Sequence, residues 1–154
     1  MTSAEPETQP PSAGPMPQDR GRETPRLVGS RVFPGVPEAV GTVRAYLKSL
    51  LDDHPMTTDA LLLASEIATN AIRHSRSSGR TFTVTVIEAA DRLRVEVTDL
   101  GGDRVPKVHD DVDAVNGRGL LLVATIATHW GVDGDGNGRT VWFVLAARRP
   151  FNLL

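Results

Sequence analysis

The stretch SEIATNAIRHS, Ser65 to Ser75, lies in a segment that otherwise has the pattern of a buried helix. Its apolar residues and neighbours include Leu61, Leu62, Leu63, Ile67, Ala68, Ala71 and Ile72. Within it, Glu66 and Asn70 are separated by about one helical turn. A carboxylate removed from water costs free energy unless a partner compensates its charge. The two side chains therefore either lie on a solvated face of the helix or serve a ligand.

A polar stripe runs along this predicted helix. With Glu66 placed at 0°, Asn70 lies at about 40° and Arg73 at about −20°. Leu62 and Leu63 flank the stripe, and a stripe bordered by leucines is less typical of open solvent than of a cleft wall. On the spacing of these polar residues alone, an ordinary solvated helix face is a somewhat better explanation than a ligand site. The opposite side carries small residues that allow close packing on a sheet: Ala64, Ala68 and Ala71.

The composition excludes several classes of protein. The 154 residues suffice for a core without covalent staples, and the absence of cysteine excludes disulfide and thiolate chemistry. A formal net charge of −2 gives no basic excess of the kind that direct nucleic-acid binding favours. No apolar run reaches the roughly 18–20 residues of a membrane span, and the N-terminus lacks the pattern of a secretory signal. We expect a cytoplasmic protein with neither membrane nor nucleic-acid partners.

Residues 1–26 differ in composition from the rest. Six of the eleven prolines fall there, among Ser, Glu, Gln and Gly and almost no large apolar residue. Such a segment does not bury enough apolar surface to offset its conformational entropy. We expect a disordered tail over 1–26, one ordered domain over 27–148 and a short C-terminal tail over 149–154.

Hydrophobic periodicity predicts the elements of the ordered part. Residues 82–86 and 93–97 alternate apolar side chains with threonines or charged residues, which predicts adjacent antiparallel strands joined by a turn at Ala90-Asp91. The other predicted elements are a strand over 27–33, helices over about 37–52, 57–74 and 120–128, and a hairpin of 129–132 with 139–146. Helices that cover one face of these strands make a two-layer α+β sandwich.

Asp99 is a second polar residue in an apolar pattern. It follows Val97 in phase, so its side chain points to the same face as Leu93 and Val95. The carboxylate either caps the turn after the strand or lies at the floor of a pocket, where it accepts a hydrogen bond from the amino group of a base. Because Asp99→Ala removes a core-facing charge, the sequence predicts no necessary loss of stability from that change.

Two glycine motifs complete the set. NGRGL, Asn116 to Leu120, directly precedes an apolar helix, and a helix N-terminus offers free N–H groups and a positive dipole end to phosphate. A mere turn explains a lone G-x-G equally well. In GRTVWFVL, Gly138 to Leu145, Thr140 enters the last strand; taken alone, it is best explained as a hairpin threonine.

Together and in this order, the four motifs resemble the series of the GHKL ATPases, the superfamily of gyrase, histidine kinases and anti-sigma-factor serine kinases. Within that superfamily, the chain most resembles the small anti-sigma-factor kinases. The segments that carry this resemblance are SEIATNAIRHS, VEVTDLGG and GRGLLLVATIATHWGV. The resemblance extends from about Val32 to Leu145. It implies the GHKL (Bergerat) form of the α+β sandwich, with a mixed, mostly antiparallel sheet and helices on one face.

The resemblance also implies a site for ATP and Mg²⁺ between helices and sheet. Asn70 would hold the metal through its amide oxygen, Asp99 would accept from the adenine N6 amino group, and Thr140 would support that contact through water. Glu66 would be the catalytic base that draws a proton from a partner's serine hydroxyl or from water. The other implied nucleotide-binding residues are Arg73, Gly101, Gly117, Arg118, Gly119 and Leu120.

Such a protein would be an ATP-dependent serine/threonine kinase. The resemblance implies that it phosphorylates an antagonist (anti-anti-sigma) protein and sequesters a sigma factor. Relatives of this type are often dimers, so a homodimer is a further expectation.

The sequence departs from the family pattern in two places. The first glycine box reads Asp99-Leu100-Gly101-Gly102-Asp103 instead of D-x-G-x-G, and the implied lid, 103–116, carries four aspartates: Asp103, Asp110, Asp111 and Asp113. Negative charge beside a triphosphate is unfavourable. These departures favour an alternative, a nucleotide-gated binding module with little or no kinase activity. Glu66 favours the kinase, because a pure binder does not need a base.

Overall fold

The computed structural model describes residues 24–74, 80–100, 114–134 and 138–147, and for His74 and residues 114–118 it describes the backbone alone. The elements in chain order are β1 (Arg26–Pro34), α1 (Ala39–Leu50), α2 (Thr57–His74), β2 (Thr81–Ala89), β3 (Arg92–Asp99), α3 (Ala114–Ile126), β4 (His129–Gly134) and β5 (Arg139–Ala146). The expected tails, 1–26 and 149–154, lie outside the described residues except for 24–26. The disorder expected for the N-terminal tail therefore stays a prediction.

The strands form one sheet in the order β1-β2-β3-β5-β4. Each of the four strand pairings is antiparallel, so the mostly antiparallel sheet expected from the sequence is antiparallel throughout its described part. The predicted hairpin of β2 and β3 is confirmed, and Ala90 in its turn has a positive φ of 52°. The hairpin of β4 and β5 is confirmed as well.

The core lies between one face of this sheet and the helices. Alternate residues of the strands point into it, including Phe33, Phe82, Val95 and Phe143, each at most 1% exposed. Helix α2 packs on the sheet through its small residues, since Ala64 and Ala68 are fully buried and Ala71 is nearly so. The predicted α+β sandwich with helices on one face is therefore confirmed. Across the described ranges, no helix combines the length and apolarity that a membrane crossing requires.

The start of α1 differs from expectation, and the start of α2 agrees with it. Helix α1 begins at Ala39, because Pro37 lies in the preceding turn, where its carbonyl accepts from the N–H of Val40. Helix α2 begins at Thr57, as predicted. The Thr57 hydroxyl donates to the carbonyls of Leu51 and His54, so it ties the α1–α2 connection to the helix start.

Candidate functional site

Glu66 and Asn70 lie side by side on the part of α2 that faces α3. Both are half-buried, whereas Arg73, near the C-terminal end of the helix, is exposed. The flanking leucines differ, since Leu63 is fully buried and Leu62 is 36% exposed. The polar stripe is therefore neither fully buried in the core nor fully exposed to solvent. It borders a second helix.

Gly119 of α3 is the residue that meets this pair. A Cβ atom built on Gly119 would lie 3.0 Å from Glu66 Oε2 and 3.5 Å from Asn70 Nδ2. Contacts of 3.0 to 3.4 Å are tighter than nine in ten real Cβ contacts, so a side chain at position 119 would require the Glu66 carboxylate to shift by a few tenths of an ångström. The structure therefore brings together residues of two separate sequence motifs, the pair Glu66 and Asn70 and the glycine motif that contains Gly119.

Helix α3 begins earlier than the sequence predicted. Its first residue is Ala114, so Ala114–Gly117 form the first turn, and Arg118, Gly119 and Leu120 fall in the second. The first turn of a helix holds its free N–H groups, so these three residues are not the helix start that the motif suggested. The Leu120 side chain is 2% exposed and belongs to the interior. The side chain of Arg118 lies outside the described part of the chain, as does Gly101.

Asp99 is buried at the end of β3, as its phase predicted, and it faces a buried arginine. Its side chain is 2% exposed, and that of Arg139, its cross-strand partner on β5, is 5% exposed. The distance from Arg139 Nε to Asp99 Oδ1 is 4.0 Å. The two opposite charges therefore compensate one another inside the protein.

The sequence analysis missed Arg139. A signal was present, because Arg139 precedes Val141 and Phe143 in phase, and this is the criterion that had singled out Asp99. The pairing favours a different prediction for Asp99→Ala, namely a loss of stability. Removing one partner of a buried ion pair leaves the other charge uncompensated and is strongly destabilising.

Thr140 lies elsewhere. Strand alternation places its side chain on the face of the sheet opposite to the helices, where its hydroxyl is 2.8 Å from the hydroxyl of Thr98. Asp99 points to the helix face. The structure thus brings Glu66, Asn70 and Gly119 together and pairs Asp99 with Arg139, whereas Thr140 is part of neither group.

A family model described as a histidine kinase-like ATPase domain matches residues 33–145. The chain belongs to this family. The matched range runs from β1 to β5 and includes α2, Asp99 and α3, so the resemblance to the GHKL ATPases is confirmed. Membership implies that this histidine kinase-like ATPase domain binds ATP.

Two solved structures are similar to this ATPase domain. The RsbU and RsbW domains of Rv1364c from Mycobacterium tuberculosis match with a TM-score of 0.59 and 21% identity, over 79% of this chain and 33% of that chain. The histidine kinase domain of the blue-light activated histidine kinase from Erythrobacter litoralis EL346 has a TM-score of 0.46 and 19% identity, over 71% of this chain and 59% of that chain. The first likeness supports the fold, and the chain spans about a third of that structure. The comparison with curated proteins finds no match.

The residues of this ATPase domain fit ATP and a divalent cation by their chemistry. Asn70 offers an amide oxygen, a ligand that suits Mg²⁺, and Glu66 beside it offers a carboxylate that could accept a proton. Gly119 keeps the space beside them free of a side chain. Asp99 offers a buried acceptor for an amino group at the end of β3.

Proposed function

We propose that this ATPase domain is a protein serine/threonine kinase that uses ATP and Mg²⁺ to phosphorylate an antagonist protein and that also sequesters a sigma factor. The observation that carries the proposal is the contact of Glu66 and Asn70 with the α3 backbone at Gly119. A carboxylate next to an amide, both half-buried against a helix that the family match includes, is the arrangement that phosphoryl transfer needs: a base beside a metal ligand.

Each residue has one role in this proposal. Glu66 accepts the proton of an incoming serine or threonine hydroxyl, Asn70 holds Mg²⁺ through its amide oxygen, and Asp99 accepts a hydrogen bond from the amino group of adenine. Bound ATP supplies the phosphoryl group that is transferred, and the metal offsets the negative charge of the phosphates. The Thr140 hydroxyl lies against Thr98, so we assign it to the pairing of β3 with β5.

The partners follow from the same proposal. An antagonist protein with an exposed serine or threonine is the phosphate acceptor, and a sigma factor is the sequestered partner. The similarity in fold to a structure that contains an RsbW domain supports this assignment. A homodimer and a cytoplasmic location are parts of the proposal as well.

A second candidate is a nucleotide-gated binding module that transfers little or no phosphate. The sequence Asp99-Leu100-Gly101-Gly102-Asp103 favours it, because its last glycine is displaced from the family pattern. In this candidate Glu66 has no base role, and Asn70 and Asp99 keep their contacts with the nucleotide.

Labelled ATP separates the two candidates. The purified protein is incubated with ATP labelled at the γ-phosphate, Mg²⁺ and small candidate antagonists encoded next to it. The kinase proposal expects label on a serine or threonine of one antagonist, and a serine-to-alanine form of that antagonist is the control. ATP binding without label on any protein supports the binding module, and no ATP binding overturns both.

A further inference from the structure

Exposed apolar side chains border the candidate site. Among the residues that the structure describes, five large apolar side chains are exposed, and three of them belong to α2 and α3: Leu62, Leu121 and Leu122. Leu62 precedes Glu66 by one helical turn, so the two side chains are neighbours on the surface of α2, with Cβ atoms about 5–6 Å apart. The roles proposed for Glu66 and Asn70 do not account for these leucines.

Helices α2 and α3 run in opposite directions. The turn that leads into α2 lies at the end of β2, where His54 Nε2 is 3.5 Å from Glu88 Oε1. Just after α3, Thr128 donates its backbone N–H to the carbonyl of Val144, near the end of β5. The ends of β2 and β5 both pair with the start of β3. Helix α2 therefore begins at the end of the sheet where α3 finishes.

These opposite directions place Leu122 beside Leu62. Leu122 follows Gly119, the residue that meets Glu66, by three residues. Leu62 precedes Glu66 by four, so both leucines lie about one turn from that contact, on the same side of it. Around the axis of α3, Leu122 is about 60° from Gly119, whereas Leu121 is about 160° away. Leu62 and Leu122, each 36% exposed, thus form an apolar strip along the solvent side of the α2–α3 contact, here named the leucine seam.

The proposed reaction specifies which molecule covers the leucine seam. In the transfer, the hydroxyl oxygen of the antagonist bonds to the γ-phosphorus while the bond to the ADP oxygen breaks, and the hydroxyl proton passes to Glu66. The hydroxyl therefore has to come within about 2.6–3.2 Å of the Glu66 carboxylate. Glu66 is half-buried, and the α3 backbone at Gly119 occupies one side of it. The antagonist therefore approaches from the solvent side and covers the seam, which begins one turn away.

We propose that the leucine seam binds an apolar side chain of the antagonist protein, next to the serine or threonine that accepts the phosphate. The inference rests on the proposed kinase function and adds to it a determinant of substrate recognition. Docking removes the exposed parts of Leu62 and Leu122 from water, which supplies affinity. The matching side chain lies about 5–7 Å from the acceptor hydroxyl, a distance spanned by two residues of a strand or one turn of a helix.

The test measures the steady-state transfer of label from ATP to the antagonist that the labelling experiment identifies. Leu62→Gln and Leu122→Gln remove apolar surface and keep a good helix former at each position. Each change is expected to raise the KM for the antagonist by about 5- to 30-fold, which corresponds to one or two kcal/mol of lost burial. The kcat at saturating antagonist and the ATP affinity measured by calorimetry should not change.

Leu121 provides the matched control. It is the same residue type on the same helix and is 54% exposed, but it points away from the seam. Leu121→Gln should leave the KM within about twofold of the parent. Urea unfolding shows whether each variant folds, and Leu62→Ala and Leu122→Ala carry the same expectation if a glutamine variant does not.

Each other outcome overturns the inference in a recognisable way. If the parent phosphorylates the antagonist and neither seam variant changes the KM, the kinase function stands and the docking surface is wrong. If the KM is unchanged while sigma-factor binding or dimer formation is lost, the seam belongs to that partner instead. An equal rise in KM for Leu121→Gln means that the seam has no specific role. If the parent transfers phosphate to no antagonist, the proposed function fails and this inference fails with it.

Discussion

Replacing Gly119 by alanine tests the contact between α2 and α3 directly. Gly119 lies inside α3, where alanine is favoured over glycine by about 1 kcal/mol of helix propensity. The new Cβ, however, would lie 3.0 Å from Glu66 Oε2 and 3.5 Å from Asn70 Nδ2. The Glu66 carboxylate must therefore move by a few tenths of an ångström.

The expected result is a loss of site function with little loss of stability. The gain in helix propensity offsets part of the cost of the close contact, so the free energy of unfolding should change by less than about 1 kcal/mol. Small displacements of catalytic groups have large effects on rate. The affinity for ATP with Mg²⁺ and the rate of phosphate transfer should both fall. Urea unfolding and calorimetry with Mg²⁺ and ATP measure the two effects.

Gly41 is the matched control. It lies in α1, and a Cβ there would meet nothing within 4 Å. Gly41→Ala should increase the free energy of unfolding by about 0.4–1 kcal/mol and leave nucleotide binding unchanged. If Gly119→Ala behaves like Gly41→Ala in both measurements, the contact of α3 with Glu66 and Asn70 has no part in the site and the reasoning is refuted.

Three further changes follow from the structure. Asp99→Ala should lower the free energy of unfolding by about 3–5 kcal/mol in urea because it leaves the Arg139 charge uncompensated; a loss below about 1 kcal/mol would mean that the two charges are not coupled. Asn70→Ala should weaken ATP binding in Mg²⁺ but not in EDTA, and an equal loss in both would indicate a packing role. Burial raises the pKa of the Asp133 carboxyl above its ordinary value of 3.8, against the opposing effect of Arg94. The folded protein therefore binds this proton more tightly than the unfolded chain does, and the contribution of Asp133 to the free energy of unfolding falls as the pH rises above 3.8. Asp133→Asn should therefore stabilise the protein at neutral pH, with a gain that shrinks on acidification; a gain that does not depend on pH would contradict this.

The elements with strict periodicity could be predicted from the sequence. Helix α2 has the predicted bounds, because a long apolar pattern and the break before Thr57 specify it locally. The β2–β3 hairpin was predicted for a similar reason, since the alternation of residues 82–86 and 93–97 fixes which side chains face the core. Asp99 was recognised as core-facing by the same rule.

The sequence did not predict what depends on contacts between distant segments. The third helix was predicted to start at Leu120, after the glycine motif, yet α3 already begins at Ala114 and continues through Gly119, where the absence of a side chain allows close packing against α2. Arg139 was missed because its role depends on the register of β5 against β3. Nothing local in the sequence specifies which residue pairs with Asp99.

Glu66→Gln is the most direct test of the claim that Glu66 is the base of a kinase. The change keeps the shape of the side chain and removes a negative charge from beside the phosphates, so ATP should bind as well as in the parent or better. Phosphate transfer to the antagonist should fall by about 10²- to 10⁴-fold, the usual contribution of general-base catalysis. Sigma-factor binding should persist. Transfer by Glu66→Gln at the parental rate, with ATP binding intact, would contradict the account.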